Sequence, residues 1–401
     1  MRYKFVGTLL MLGSLFTSTS ELYAATRCRK KDKCIQPCPP KPCPPKPCPK
    51  PKKCPPRVTD PCEDRLGKGP GYADCELSPA YSGPARINPH CGWDVALSAS
   101  FIYWHASEEG LDFAIYSTSE DTDGPVKAGL VFQKFDFKPG FKIAAEGELG
   151  TGDNWTGKAE YTRLHFSNRE STFVPDPGSL FENNYETSVN LDDLFENFVS
   201  LQEAKSEWIC NLDTIDLQTA RWFYSGQMLT MGPFLGARFG WLNQRFNLSS
   251  LPINATDFVR SNHRSKSWFA GPRAGLDMNW ILGYGLRATG SLAGSLLYQR
   301  QRATTSGTIT ETENGALVTR PLDLKNTYRH VRTQSEMGLG LGWGTYLAED
   351  AFHIDFLAAY EFHLWAKQNV MRSSIDSAYR GFSPPGDLMY HGLTLTMRFD
   401  F

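Results

Sequence analysis

From Leu393 onward every odd position of the chain is apolar (Leu393, Leu395, Met397, Phe399, Phe401) and every even one polar (Thr394, Thr396, Arg398, Asp400). A period of two predicts a strand with one oily and one wet face. The same alternation recurs upstream. Trp93, Val95, Leu97, Ala99, Phe101 and Tyr103 oppose Asp94, Ser98 and Ser100. A second segment, about 130–149, sets Phe137, Phe141, Ile143 and Ala145 against Lys142, Glu146 and Glu148. A third, 155–166, alternates Trp155, Ala159 and Tyr161 with Lys158, Glu160 and Thr162; its pattern slips near Arg163, which predicts a bulge or a strand end. The fourth, about 206–224, has no fixed parity. The fifth, 227–243, the sixth around 268–280, the seventh around 286–299, the eighth around 331–343 and the ninth around 352–364 alternate clearly, so the terminal segment makes ten.

The connections then decide the architecture. Those at 150–154, 225–226, 282–285 and 349–350 are short and turn-rich, whereas 105–129, 167–205, 244–266, 300–330 and 366–387 are long. Short and long alternate throughout, as when one rim of a membrane barrel carries tight turns and the other carries loops. A soluble β-sandwich gives no reason for that order. The expected fold is therefore all-β: a transmembrane antiparallel β-barrel of about ten strands (10–12). Trp93, Tyr103, Trp155, Trp241, Trp268, Trp280, Tyr298, Trp343 and Tyr360 fall mostly near strand ends, where interfacial girdles sit. The terminal strand, ending on an aromatic, looks like the assembly signal read by the β-barrel assembly machinery. After residue 24 no run of eighteen apolar residues occurs, so a membrane-spanning helix is not expected.

Charges change the picture on the wet faces. Lys142, Glu146, Glu148, Lys158, Glu160, Arg238, Arg273, Asp277, Arg287, Arg332, Glu336, Asp355, Glu361, Arg398 and Asp400 all fall there. A basic residue facing lipid at mid-bilayer costs roughly 2–4 kcal/mol, so these side chains are expected to line a lumen. Both signs are present, which predicts little ion selectivity. Ten strands enclose a narrow interior that such ion pairs could also fill.

The first 91 residues differ in kind. Arg2 and Lys4 precede an apolar stretch from Phe5 to Phe16 and a small-residue region, which predicts a signal peptide over 1–24. Residues 25–91 hold nine of the ten cysteines: Cys28, Cys34, Cys38, Cys43, Cys48, Cys54, Cys62, Cys75 and Cys91. The pattern Pro-Cys-Pro-Pro-Lys, at 37–41 and again at 42–46, makes a stiff extended rod. Paired Cys-x-x-Cys spacing for zinc is missing. Intermolecular disulfides in an oxidising envelope fit the repeat, and an internal scaffold among Cys54, Cys62, Cys75 and Cys91 stays open. Eleven basic residues between Arg27 and Arg57 could bind anionic polymers or simply be solvated. The barrel is expected over 92–401.

The stretches Phe101-Ile-Tyr-Trp-His-Ala with Glu109-Gly-Leu, Phe137-Lys-Pro-Gly-Phe-Lys, Gly271-Pro-Arg-Ala-Gly-Leu-Asp, Leu339-Gly-Leu-Gly-Trp and Tyr360-Glu-Phe-His-Leu-Trp resemble the pore-forming major outer membrane protein-like family of chlamydia-related and Legionella-type bacteria. The resemblance implies an outer-membrane barrel passing ions and small hydrophilic solutes. In the chlamydia-related branch it also implies a disulfide-linked envelope, so a barrel-anchored structural protein is the alternative. Expected partners are outer-membrane lipid and lipopolysaccharide, other cysteine-rich envelope proteins and, compatibly, further copies of the chain. With 42 basic and 43 acidic residues and a formal net charge of −1, no nucleic-acid partner is expected, nor any cofactor or metal. His105, His263, His330 and His363 have no serine or aspartate at triad spacing, so catalysis is not expected. The acidic loop Glu108–Asp123 is read as solvated, with cation binding as the sharper alternative.

Overall fold

The computed structural model describes residues 84–87, 93–118, 127–150, 155–173, 184–187, 201–252, 258–313, 316–371 and 384–401, with Ser82 and Pro89. Its strands are β1 (Val95–Glu108), β2 (Asp112–Thr118), β3 (Lys127–Phe132), β4 (Phe137–Glu148), β5 (Trp155–Phe173), β6 (Asn184–Thr187), β7 (Leu201–Arg221), β8 (Phe223–Tyr224), β9 (Leu229–Pro252), β10 (Phe258–Gly283), β11 (Leu286–Glu313), β12 (Ala316–Leu347), β13 (Phe352–Asn369) and β14 (Gly386–Asp400). Ten of them close a barrel in the order β1-β4-β5-β7-β9-β10-β11-β12-β13-β14 and back to β1, every pair antiparallel. The closing seam runs from Ala96↔Asp400 to Glu108↔Leu388, and Phe401 and Val95 exchange both backbone hydrogen bonds at its foot. Closure leaves no unpaired edge, the condition for a strand fold to cross lipid.

One rim has tight turns. Tyr284 and Gly285, and Ala348, Glu349 and Asp350, all carry positive φ, the left-handed backbone such turns require. A side chain at Gly285 would also meet the Gly344 carbonyl at 2.3 Å. The other rim is uneven, because β9–β12 run 24 to 32 residues while β4 has 12. Residues 244–252, 258–266, 300–313 and 316–330, expected in loops, are strand. They extend beyond the bilayer, where the outer face meets water instead of lipid and the inner face buries polar residues such as His263, Gln301 and Thr305, so the two-residue pattern fades.

The second expected strand is divided. Lys127–Phe132 belongs to a separate three-stranded sheet, β3-β2-β6, and β4 starts only at Phe137. The bulge expected at Arg163 is not there: β5 pairs without a register shift from Trp155↔Arg221 to Phe173↔Glu203. The apolar pattern slips because polar residues face outward. Tyr161 donates to Asp213 at 2.6 Å, and His165 lies 2.8 Å from the same carboxylate.

Leu97, Phe101, Leu235, Phe239, Leu292, Leu296, Leu339, Leu341, Leu393, Leu395 and Met397 stand exposed on the outer wall, Leu339 by 75%. That apolar band ends toward the uneven rim at Tyr103, Phe137, Trp241, Trp268, Tyr298 and Tyr360, with Trp268 and Tyr298 rings 5.7 Å apart. Toward the tight turns it ends at Trp155, Trp280, Tyr284 and Phe352. Phe399 stacks on Phe352 at 5.6 Å, and Phe401 meets the Trp93 ring edge-on at 6.3 Å.

Candidate functional site

The interior has two fillings. At the level of the outer girdle and above it, Ile102 and Trp104 of β1, Leu164 and Phe166 of β5, Trp208, Cys210 and Leu212 of β7, Leu242 and Phe246 of β9, Phe269 of β10, Leu297 of β11, Trp365 of β13, and Leu388 and Tyr390 of β14 pack inward as one apolar cluster, beside buried polar groups such as Gln244, Ser267, Gln299 and Gln301. Eight of the ten barrel strands contribute, so the cluster reaches across the lumen. The segment leaving β1 adds Leu111 and Phe113, and Phe135 before β4 packs edge-on against Trp208 at 5.4 Å. Gln133 fastens that segment, donating its backbone N–H to Leu111 and accepting from the Ser206 hydroxyl at 2.6 Å.

Glu108, five residues beyond Tyr103 and so outside the lipid band, is buried in this region. Both carboxylate oxygens accept from the Gln244 amide at 2.8 Å. Burial pushes its pKa up to about 8 against that hydrogen bond. Asp112 is also buried. The reading of a solvated acidic loop therefore fails for Glu108 and Asp112, which point into packed structure, while Glu109 between them is exposed; 119–126 lie outside the described residues.

Below the apolar layer the filling is charged. The Arg238 guanidinium of β9 donates to Asp216 of β7 at 2.6 Å and reaches across to Gln334 and Glu336 of β12. Arg273 of β10 donates to the other Glu336 oxygen and to Gln218, both at 2.6 Å, while lying over the Phe234 ring. His363 of β13 stands between Glu336 and Glu361, and Lys142 of β4 donates to Glu361 at 2.6 Å beneath the Trp104 ring. The chain Asp216–Arg238–Glu336–His363–Glu361–Lys142 thus crosses the barrel. A cavity of about 280 Å³ opens beside it, lined among others by Lys158, Glu160 and Asp277, with Lys158 and Glu160 paired at 2.7 Å.

A third tier lies at the tight-turn end. Arg287 forks onto Asp355 at 2.5 and 2.8 Å; Arg398 bridges Glu146 and Asp400, and His353 sits 3.1 Å from Asp400. Arg86, from the segment preceding β1, binds Asp94 and Glu148, each at 2.8 Å. The Ala85 N–H donates to the Trp222 carbonyl, and Ala85 packs with Tyr224 and Ile281.

Of the fifteen charges expected on the inner face, fourteen join these tiers or line the cavity. Arg332 points inward nearer the uneven rim and makes no ion pair among the described residues. Asp216, Gln334, His353, His363 and Arg86 were not foreseen as partners. Asp216 was hidden because Trp208, Cys210 and Leu212 make the inner face of β7 apolar, which erased the parity that would have placed it. Cys210 is fully buried inside the wall, its sulfur 3.4 Å from the Tyr390 hydroxyl. The nine leader cysteines and the 1–24 segment lie outside the described residues.

A closed antiparallel barrel, greasy outside and charged within, with aromatic rings at both ends of its apolar band, is an outer-membrane β-barrel. The chain belongs to the Legionella pneumophila major outer membrane protein family, whose sequence model matches residues 88–401. A search of curated proteins finds no match. Among solved structures it is similar to the outer membrane protease OmpT from Escherichia coli, with 10% identity, TM-score 0.39, and coverage of 76% of this chain and 96% of that one. It is similar also to the Pseudomonas putida toluene transporter TodX (9%, TM-score 0.30, 78% and 90%) and to a Pseudomonas aeruginosa FadL homologue (8%, TM-score 0.22, 77% and 89%).

Proposed function

We propose that the protein is a porin-like channel whose charged lumen passes ions and small hydrophilic solutes once its apolar outer layer parts. The contrast between the two fillings carries the reading. This barrel closes one stretch of its interior with Trp208, Phe246, Phe269 and Trp365, so a narrow lumen did not oblige it to bury charge in the next. Replacing a buried ion network by packed apolar groups is often neutral or stabilising, and stability alone is a poor reason to keep Arg238, Arg273, Glu336 and Glu361 there. A wet cavity with both signs of charge suits hydrated solutes and small ions. The segment carrying Leu111, Phe113 and Gln133 is the part that moves on this reading, held by the packing of Leu111 and Phe113 in the cluster and by the Ser206–Gln133 hydrogen bond.

The test is single-channel recording of the purified protein in planar bilayers, beside a Gln133→Ala/Phe135→Ala variant that loosens the segment. Discrete steps, more frequent in the variant, support a channel. Silence from both, with the barrel folded, rejects it.

A second reading has its own support. Ion pairs and the apolar layer fill the lumen, and a filled barrel tied to a cysteine-rich leader would serve as an envelope anchor. On that reading the leader is periplasmic and joins other cysteine-rich envelope proteins by disulfides. Gels of native envelopes without reductant then show ladders that collapse with reductant; a monomer alone rejects the cross-linking.

A further inference from the structure

Directly beyond the outer aromatic girdle the wall carries a compact group of cations on four adjacent strands. Arg245 of β9, Arg264 and Lys266 of β10, Arg300 and Arg302 of β11, and Arg329 of β12 share the outward parity of Trp241, Trp268, Tyr298 and Val331. Lys266, Arg300, Arg302 and Arg329 are exposed, and the other two half-buried. Register sets them against one another: Arg245 lies opposite Arg264, Lys266 opposite Arg302, and Arg300 opposite Arg329.

Like charges directly opposite across a strand pair repel. Elsewhere on the projecting wall such cations have acid partners, as Arg169 has Glu207, Lys205 has Glu203 and Lys325 has Asp323. None of these six makes an ion pair among the described residues. Arg245 has the Glu207 carboxylate of β7 nearby, whereas Lys266 opposite Arg302 and Arg300 opposite Arg329 form no ion pair among the described residues, an arrangement that waits for an external anion.

Height on the wall says which anion. Outward neighbours on a strand are about 7 Å apart, so Lys266, Arg300 and Arg329 begin one such step above Trp268, Tyr298 and Val331. Girdle aromatics sit at headgroup level. The phosphates of a lipid held in that leaflet come to rest where the cations stand, and guanidinium groups fork onto phosphate oxygens in pairs. We infer that this face is a binding site for a phosphorylated glycolipid of the outer leaflet, a lipopolysaccharide whose phosphates bridge Lys266, Arg300, Arg302 and Arg329 while its acyl chains cover Trp241, Trp268 and Tyr298.

The test uses the full chain folded in detergent, with bisphosphorylated lipid A and its phosphatase-treated form as probes. Binding is followed by native mass spectrometry and tryptophan fluorescence. Bisphosphorylated lipid A is expected to bind at least about tenfold more tightly than the treated form, and the combined Lys266→Gln/Arg300→Gln/Arg302→Gln/Arg329→Gln variant to lose that preference. A control, Lys205→Gln/Lys325→Gln, removes two exposed cations elsewhere and should stay within about twofold of the parent. Equal binding of the two lipids, an unchanged quadruple variant, or displacement by inorganic phosphate at concentrations comparable to the lipid would each overturn the site. None of the four residues lies in the lumen, so channel recordings are independent of the result.

Discussion

Glu108 is a side chain outside the lipid band whose chemistry departs far from its solvent behaviour. Its folded pKa of about 8 lies above the ordinary glutamate value of 4.5, so between those pH values the folded state holds a proton that the unfolded chain releases. Stability therefore declines as pH rises through that window, by an amount on the order of 2–4 kcal/mol. Glu108→Gln keeps the shape, removes the titration, and is expected to flatten urea unfolding of the lipid-folded protein between pH 5 and about 8. If the variant shows the parent's slope, the carboxyl is not the protonated group. Arg238 makes the opposite case. Arg238→Ala leaves Asp216 and part of Glu336 buried without a partner and should cost about 3–5 kcal/mol. Arg238→Met with Asp216→Leu should lose much less, and unfolding midpoints of the two variants distinguish them.

At the scale of the element, legibility followed the solvent on each face. Strands β9 to β12 were readable where Leu235, Phe239, Leu292, Leu339 and Leu341 meet lipid while Arg238, Arg273, Arg287 and Glu336 turn inward, because each face has a different medium. The same strands were lost above the girdle, where Arg300 to Glu313 has water on its outer side and the apolar requirement ends. β7 defeated parity for another reason, since its inner Trp208, Cys210 and Leu212 and its outer Asp213 reverse the usual assignment. The charged candidates were found as a set, but their pairing was not, because register across strands decides that Arg238 meets Asp216. β14 was the clearest strand and closes the wall, so removing residues 399–401 should abolish the heat-modifiable shift of the folded barrel on gels. Retention of that shift would show that the Phe399–Phe352 stack and the Phe401–Val95 backbone pair are dispensable.

The whole molecule combines a lipid-facing cylinder with an interior divided into apolar and ionic tiers. If the apolar layer is the barrier to passage, Trp208→Ala should raise conductance without shifting the reversal potential, because the charged tier below is untouched. A changed reversal potential would move the selective element upward into that layer.

The uneven rim also decides what the cell's surroundings touch first. From Arg300 to Glu313 the β11 strand continues roughly 45 Å along its length, with β12 returning beside it throughout and β10 flanking its other edge as far as Thr310. An epitope inserted between Glu313 and Ala316 should be recognised by antibody on intact cells, whereas one placed at Glu349–Asp350 should be reached only after the cells are opened.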